Sequence, residues 1–249
     1  MMAMPSIDGR VAFVSGASRG IGAGLAQQYL ERGLRLVLCS RTPPILEASE
    51  SVLRACFDIG DENALEALVQ EAEARFGGID LWINNAGVLD PIDPIRDVSV
   101  EAFRQHLDTN LVGVFLGSKC YANHLRRMGR GGVLINISSG AAWKPYAGWG
   151  AYCAGKAGVE RLTEVIALEE AAAGLRAYSV APGVVDTEMQ TKIRATPESR
   201  FPDAGRFHER KRTNDFNSAR YVADELLSLA FDPSRAVDEV AVRLEDEPR

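Results

Sequence analysis

A chain of 249 residues with 46% hydrophobic and 25% charged residues has the make-up of an ordinary globular domain with a sizeable core. Its formal net charge of −6 argues against nucleic acid or an anionic membrane as the main partner, and no apolar run approaches membrane-spanning length. Cys39, Cys56, Cys120 and Cys153 lie far apart with no CxxC pair, so they read as reduced thiols of a cytoplasmic protein and argue against a disulfide framework or a metal site. The stretch 1-MMAMPSIDGR-10 lacks a basic region followed by an apolar one, and no signal peptide is expected.

Along the chain, apolar and β-branched runs at 11-VAFVS-15, 34-LRLVLCS-40, 79-IDLWINN-85, 132-GVLINIS-138 and 175-LRAYSVA-181 predict strands. Amphipathic stretches at 20–32, 62–76, 99–128 and 151–173 predict helices between them. Such alternation calls for a doubly wound parallel sheet with helices on both faces, an α/β fold. The stretch 42-TPPILEASES-51 is short and carries two prolines, which leaves room for little helix. Residues 190–216 are polar and interrupted by Pro197, Pro202 and Gly205; they read as an excursion over the sheet edge and a candidate substrate lid. Within them, 206-RFHERKR-212 reads as a solvated face rather than a binding patch. The alternation in 237-VDEVAVRL-244 suggests an edge strand. No linker or repeat divides the chain, so residues 1–249 are expected to form one domain.

The turn 16-GASRGIG-22 joins the first strand to the first helix. Gly16, Gly20 and Gly22 either relax a tight turn or bring backbone N–H groups close to a phosphate, since a Cβ would hold the chain away from an anion at a helix start. Nicotinamide enzymes that prefer NAD usually end the second strand with an acid that binds the ribose hydroxyl. Here that strand ends 38-LCSR-41. Arg19 and Arg41 are each readable as a surface charge; together, with no acid at hand, they favour a 2′-phosphate and hence NADP(H).

Tyr152 and Lys156 in 152-YCAGK-156 fall one turn apart on one helical face. A phenol with an ordinary pKa of about 10 needs a neighbouring positive charge to work as an acid–base group near neutrality. Upstream, 136-NISSG-140 offers Ser138 or Ser139 at a strand end, where a hydroxyl can polarise a carbonyl oxygen.

Taken in order, these motifs resemble those of the short-chain dehydrogenase/reductase family, from about residue 10 to residue 190. The resemblance implies a single-domain Rossmann-type fold and a homodimer or homotetramer paired through helices 99–128 and 151–173. It selects Ser139 over Ser138 by its separation from Tyr152, and it adds Asn110, in 108-DTNLVG-113, as a fourth catalytic residue supporting a proton relay through Lys156. It implies cofactor contacts from Ser18, Ile21, Ser40, Asp58 and Ile59. Further contacts come from Asn85, Ala86 and Gly87 in 84-NNAG-87, and from Pro182, Gly183, Val185 and Thr187 in 182-PGVVDTEM-189. Within the family, 148-GWGAYCAGKAG-158 and 165-VIALEE-170 look most like sepiapterin reductase and the bacterial benzil-type carbonyl reductases. Where sepiapterin reductases carry an acid that anchors the pterin, the ungapped register places Arg243, with Glu245 and Asp246 nearby.

The resulting expectation is an NADPH-dependent reduction of a ketone or vicinal diketone. Trp143, Tyr146 and Trp149 either pack their loop onto the domain or offer a flat wall to a planar carbonyl compound, and Met189, Phe201 and Phe207 of the candidate lid could close over it. A 3-oxoacyl-carrier-protein reductase shares every catalytic motif, although overall acidity disfavours docking of an acidic carrier. A nucleotide-sensing binding protein without turnover is the reading from another class.

Overall fold

The computed structural model describes residues 6–235 and 237–248; the first five positions of the stretch read for a signal peptide lie outside this range. A parallel sheet of seven strands, ordered β3-β2-β1-β4-β5-β6-β7, forms the centre. Its strands are β1 (Val11–Ser15), β2 (Arg35–Ser40), β3 (Val52–Cys56), β4 (Leu81–Asn84), β5 (Gly132–Ile137), β6 (Leu175–Ala181) and β7 (Ala241–Arg243). The helices are α1 (Gly20–Glu31), α2 (Glu62–Phe76), α3 (Val100–Leu107), α4 (Gly113–Met128), α5 (Gly150–Glu170), α6 (Glu188–Ala195), α7 (Ala204–Thr213) and α8 (Ala219–Phe231).

Strands β1 and β4 are buried along their whole length, which is why they read as continuous apolar runs rather than alternations. One core packs Leu25, Leu36, Ile83 and Leu226 between the sheet and α1 with α8. The other packs Phe13, Trp82, Leu65 and Tyr121 beneath α2 and α4. There the Phe13 and Trp82 rings stack at 3.7 Å, and Tyr121 stacks on Trp82 at 5.3 Å.

Helix starts follow their local chemistry. Asp61, Ser99 and Ser218 each accept a hydrogen bond from a first-turn N–H, of Ala64, Ala102 and Tyr221 respectively. The helix expected over 99–128 is interrupted at Asp108–Val112 by one π turn, in which the Gly113 N–H reaches back to the Asp108 carbonyl. Residues 42–51 hold no helix, as their prolines require. Across 190–216 the prolines separate two helices, α6 and α7, instead of preventing them. Helix α8 has no counterpart among the sequence-based expectations, although Ser218 caps it and Val222, Leu226 and Leu229 form its buried stripe.

The chain leaves β1 toward β2 and β3, then returns to β4 on the other side. That reversal opens a crevice at the carboxyl ends of β1 and β4, the place where open α/β sheets bind ligands.

Candidate active site and cofactor groove

A cavity of about 400 Å³ occupies this crevice. At its floor the glycine turn is packed as closely as backbone allows. Gly16 has φ of +69°, and a Cβ there would lie 2.8 Å from the Ala86 Cα. A Cβ on Gly22 would lie 2.3 Å from the Gly16 carbonyl oxygen and 2.4 Å from Asn85 Nδ2. Ser15 Oγ accepts from the Asn85 and Ala86 N–H groups, both at 3.0 Å, so the ends of β1 and β4 are tied together beneath the turn. Helix α1 begins without a side-chain cap and without an acid in its first turn. Its first N–H donors and its positive dipole end are therefore available to an anion, and the cradle fits a dinucleotide phosphate.

Most of the expected cofactor contacts line this one cavity: Ser18 and Ile21 beside the turn, Ser40 and Arg41 after β2, Asp58 and Ile59 after β3, Asn85, Ala86 and Gly87 after β4. Pro182, Gly183, Val185 and Thr187 close its other wall. Gly22 lies behind the turn, where its role is close packing. Asp58 Oδ1 accepts from the Gly60 N–H at 2.9 Å, which fixes the carboxylate at the rim. Arg41 is exposed and makes no ion pair among the described residues, whereas Arg19 reaches across the groove to Glu188 at 3.0 Å.

At the other end, Tyr152 and Lys156 stand one turn apart on α5, 8% and 6% exposed. The Lys156 ammonium donates to the Ile137 carbonyl at 2.7 Å, at the end of β5, and lies 5.8 Å from the Tyr152 ring centre. Burial pulls the Lys156 pKa down to about 8. Burial raises the Tyr152 pKa, and a hydrogen bond with Ser139 opposes the rise. The net direction is upward, opposite to the lowering expected of a neighbouring charge, because loss of solvent around the ring dominates. Ser139 Oγ also accepts from the Ala141 N–H at 3.2 Å, while Ser138 Oγ is buried without a partner. Of the two serines, Ser139 meets the phenol.

Asn110 sits in the π turn behind the cavity wall and is fully buried. Its amide clasps Val88, accepting from the N–H at 2.8 Å and donating to the carbonyl at 2.7 Å. Sequence reasoning passed over His106, four residues earlier. Its Nδ1–H donates to the Asp90 carbonyl at 2.6 Å, so its Nε2 accepts from Asn110 Nδ2, also at 2.6 Å. Its ring meets Tyr152 edge-on at 6.0 Å. Burial lowers the His106 pKa despite the Asp90 contact, and the nearby Lys156 charge adds to the effect. The i, i+4 pairing with Asn110 was the available signal.

The three loop aromatics divide. Trp143 is exposed and donates to Glu160 at 2.6 Å, outside the cavity. Tyr146 and Trp149 line it, and Trp149 also packs its loop down: it stacks on Phe201 at 4.4 Å and meets Tyr152 at 5.4 Å. Met189 and Phe207 line the cavity as well; Phe201 is buried behind Trp149. Arg200 fastens the 190–216 segment to Asp93 through two bonds of 2.5 and 2.6 Å. Arg243 also lines the cavity, whereas Glu245 and Asp246 do not.

A tyrosine, a lysine and a serine around one cavity with a glycine-cradled helix start define an oxidoreductase of the nicotinamide-dependent type. The chain belongs to the short-chain dehydrogenase family, whose model matches residues 10–198. The family uses NAD(P)(H) and acts on carbonyl and alcohol substrates. The chain is 34% identical to a benzil reductase of Bacillus subtilis over 87% of this chain and 91% of that protein. It is 33% identical to 3beta-hydroxysteroid dehydrogenase 1 of Eggerthella lenta over 78% and 77%. Its fold matches the crystal structure of levodione reductase with a TM-score of 0.84 and 28% identity, covering 96% of each chain.

Proposed function

We propose that this protein is an NADPH-dependent carbonyl reductase that prefers aromatic or vicinal dicarbonyl compounds to a pterin such as sepiapterin. The observation that carries the reading is the meeting of Ser139, Tyr152 and buried Lys156 at one cavity walled by Tyr146 and Trp149. The nicotinamide, when bound, supplies the hydride. Ser139 orients the carbonyl oxygen, and the Tyr152 hydroxyl releases its proton to that oxygen as negative charge develops. Lys156 steadies the phenolate left behind and is placed to hold the ribose. Asn110, fixed between Val88 and His106, positions the wall on which this chemistry rests. Arg41 and Arg19 support a 2′-phosphate, the latter by exchanging Glu188 for the ligand. The flat Trp149 face and Arg243 in place of an anchoring acid support an aryl diketone over a pterin.

Exposed Val112 at the end of the π turn, Phe115 on α4, and Val165 and Leu168 on α5 support pairing of two copies through these helices. Among the described residues no helix is long and apolar enough to cross a membrane. The four free cysteines favour a reducing, cytoplasmic setting.

Steady-state oxidation of NADPH and NADH with benzil and with sepiapterin tests the reading. Benzil should be reduced with the higher kcat/KM, and NADPH should be the better donor. Faster sepiapterin reduction, or an equal rate with NADH, would overturn the corresponding half.

A further inference from the structure

The charge lining the cavity is opposite to that of the protein. The chain carries a net charge of −6, yet its cavity is lined by six cationic side chains and two carboxylates. Arg19 and Arg41 stand at the phosphate end, and Lys156 belongs to the catalytic group. Of the carboxylates, Asp58 lies at the rim after β3 and Glu188 is held by Arg19. Arg206, Arg210 and Arg243 remain, brought to the opposite wall by α7 and β7.

These three differ in how far they are already satisfied. Arg210 is held by the Asp215 carboxylate at 2.9 Å and by its carbonyl at 3.1 Å. Arg206 has Asp203 at 3.5 Å. Arg243 has neither an ion pair nor a side-chain hydrogen bond among the described residues. Arg206 and Arg210 are four apart on α7 and flank Phe207, whose ring lies 5.7 Å from Trp149; Trp149 in turn meets Tyr152. One apolar layer therefore separates the phenol from the part of α7 that carries Arg206 and Arg210. Arg243 and Arg206 are exposed at the mouth of the cavity, and a guanidinium's planar fork matches a carboxylate through two parallel bonds.

We infer that the substrate carries a carboxylate separated from the reacting carbonyl by a flat apolar spacer, and that Arg243, which lines the same cavity as Arg206 and Arg210, receives that group. The inference rests on the reductase reading above and makes its substrate class narrower: an apolar body against Trp149 and Phe207, a carbonyl at Tyr152 and an anionic tail at Arg243.

The matched pair 4-acetylbenzoate and its methyl ester tests it, with saturating NADPH. The acid should exceed the ester in kcat/KM by about tenfold to a hundredfold, the range of a charge-assisted hydrogen bond, chiefly through KM. Arg243→Gln should collapse the ratio, and Arg243→Lys should restore part of it. A ratio near one in the unmodified enzyme overturns the inference and leaves the reductase reading standing. So does an Arg243→Gln variant that loses NADPH affinity while keeping the ratio. Binding of benzoate against benzamide, followed by calorimetry on the same proteins, supplies a readout without turnover. If neither ketone is reduced, the reductase reading fails for these substrates. Benzoate binding that is lost in Arg243→Gln still upholds the anion site, and equal binding of both ligands overturns it.

Discussion

Single residues divide the work at this site, and each can be removed alone. Tyr152→Phe keeps the ring against Trp149 and His106 and removes only the proton donor. We expect turnover to fall at least about a hundredfold, the low end of a general acid's contribution, with NADPH affinity nearly unchanged by titration. Residual turnover above a hundredth would place the proton elsewhere. Arg41→Asp should shift kcat/KM from NADPH toward NADH by about tenfold to a hundredfold, since it removes a phosphate partner and offers a ribose hydroxyl an acceptor. An unchanged ratio would place the phosphate away from the end of β2. That Tyr152, Lys156 and Arg41 would meet at one cavity was legible from their helical spacing and strand-end position. His106 was not: a histidine in a helix looks the same whether it faces solvent or clasps Asn110, and only the π turn beside it decides.

Elements whose period was strong in sequence folded as expected, and the departures have local causes. The π turn adds a residue to one helical turn, which no 3.6-residue pattern announces. Helices α6 and α7 went unforeseen because two prolines suggested interruption, whereas each ends up between helices, at no cost in lost N–H bonds. Their docking gives another test. Gly148 has φ of +87°, and a Cβ there would lie 2.2 Å from the Arg200 carbonyl oxygen, backbone that cannot turn aside. Gly148→Ala should cost about 1–3 kcal/mol from strain and crowding. That corresponds to roughly 2–4 °C in Tm for each kcal/mol in a chain of this size. It should also raise KM by displacing the segment that holds Phe207 beside Trp149. Unaltered Tm and KM would mean that the α6–α7 segment yields freely.

Across the whole molecule, stability should follow pH through two buried histidines and one carboxylate. His124 Nδ1–H donates to Glu73 at 2.7 Å and its Nε2 accepts from the Ile79 N–H, so it is neutral in the fold, as His106 is. Burial lowers the pKa of both. Unfolded histidines take up a proton near pH 6.5 while the folded ones resist, so their contribution is complete above that pH and is lost as pH falls through the folded values. For Glu73, burial would raise the pKa, but bonds from His124 and Arg127 outweigh it and the net shift is downward. Its contribution is present above about 4.5 and lost as pH falls below. Tm measured by calorimetry should therefore decline steadily from pH 7 to pH 4; a flat profile from pH 7 to pH 5 would contradict the histidine part. The doubly wound parallel sheet was inferable from alternating strands and helices, but this polar seam was not, because Glu73, Ile79 and His124 meet only after α2 and α4 have packed.

Lys156 stands against that trend and bears on how such a site persists. Its pKa of about 8 means that a charged ammonium is held where the fold prefers a neutral group. Relative to an ordinary lysine this costs about 3 kcal/mol at neutral pH. The cost is complete below pH 8 and fades as pH rises toward 10.5, where the side chain is neutral folded or unfolded. Lys156→Met should accordingly stabilise the protein by about 1–2 kcal/mol at pH 7, after loss of the bond to Ile137, and lose that advantage near pH 10.5. A variant no more stable at pH 7 than at pH 10.5 would refute this. The fold thus carries at neutral pH a charge that it disfavours, the mark of a side chain placed for chemistry rather than for packing.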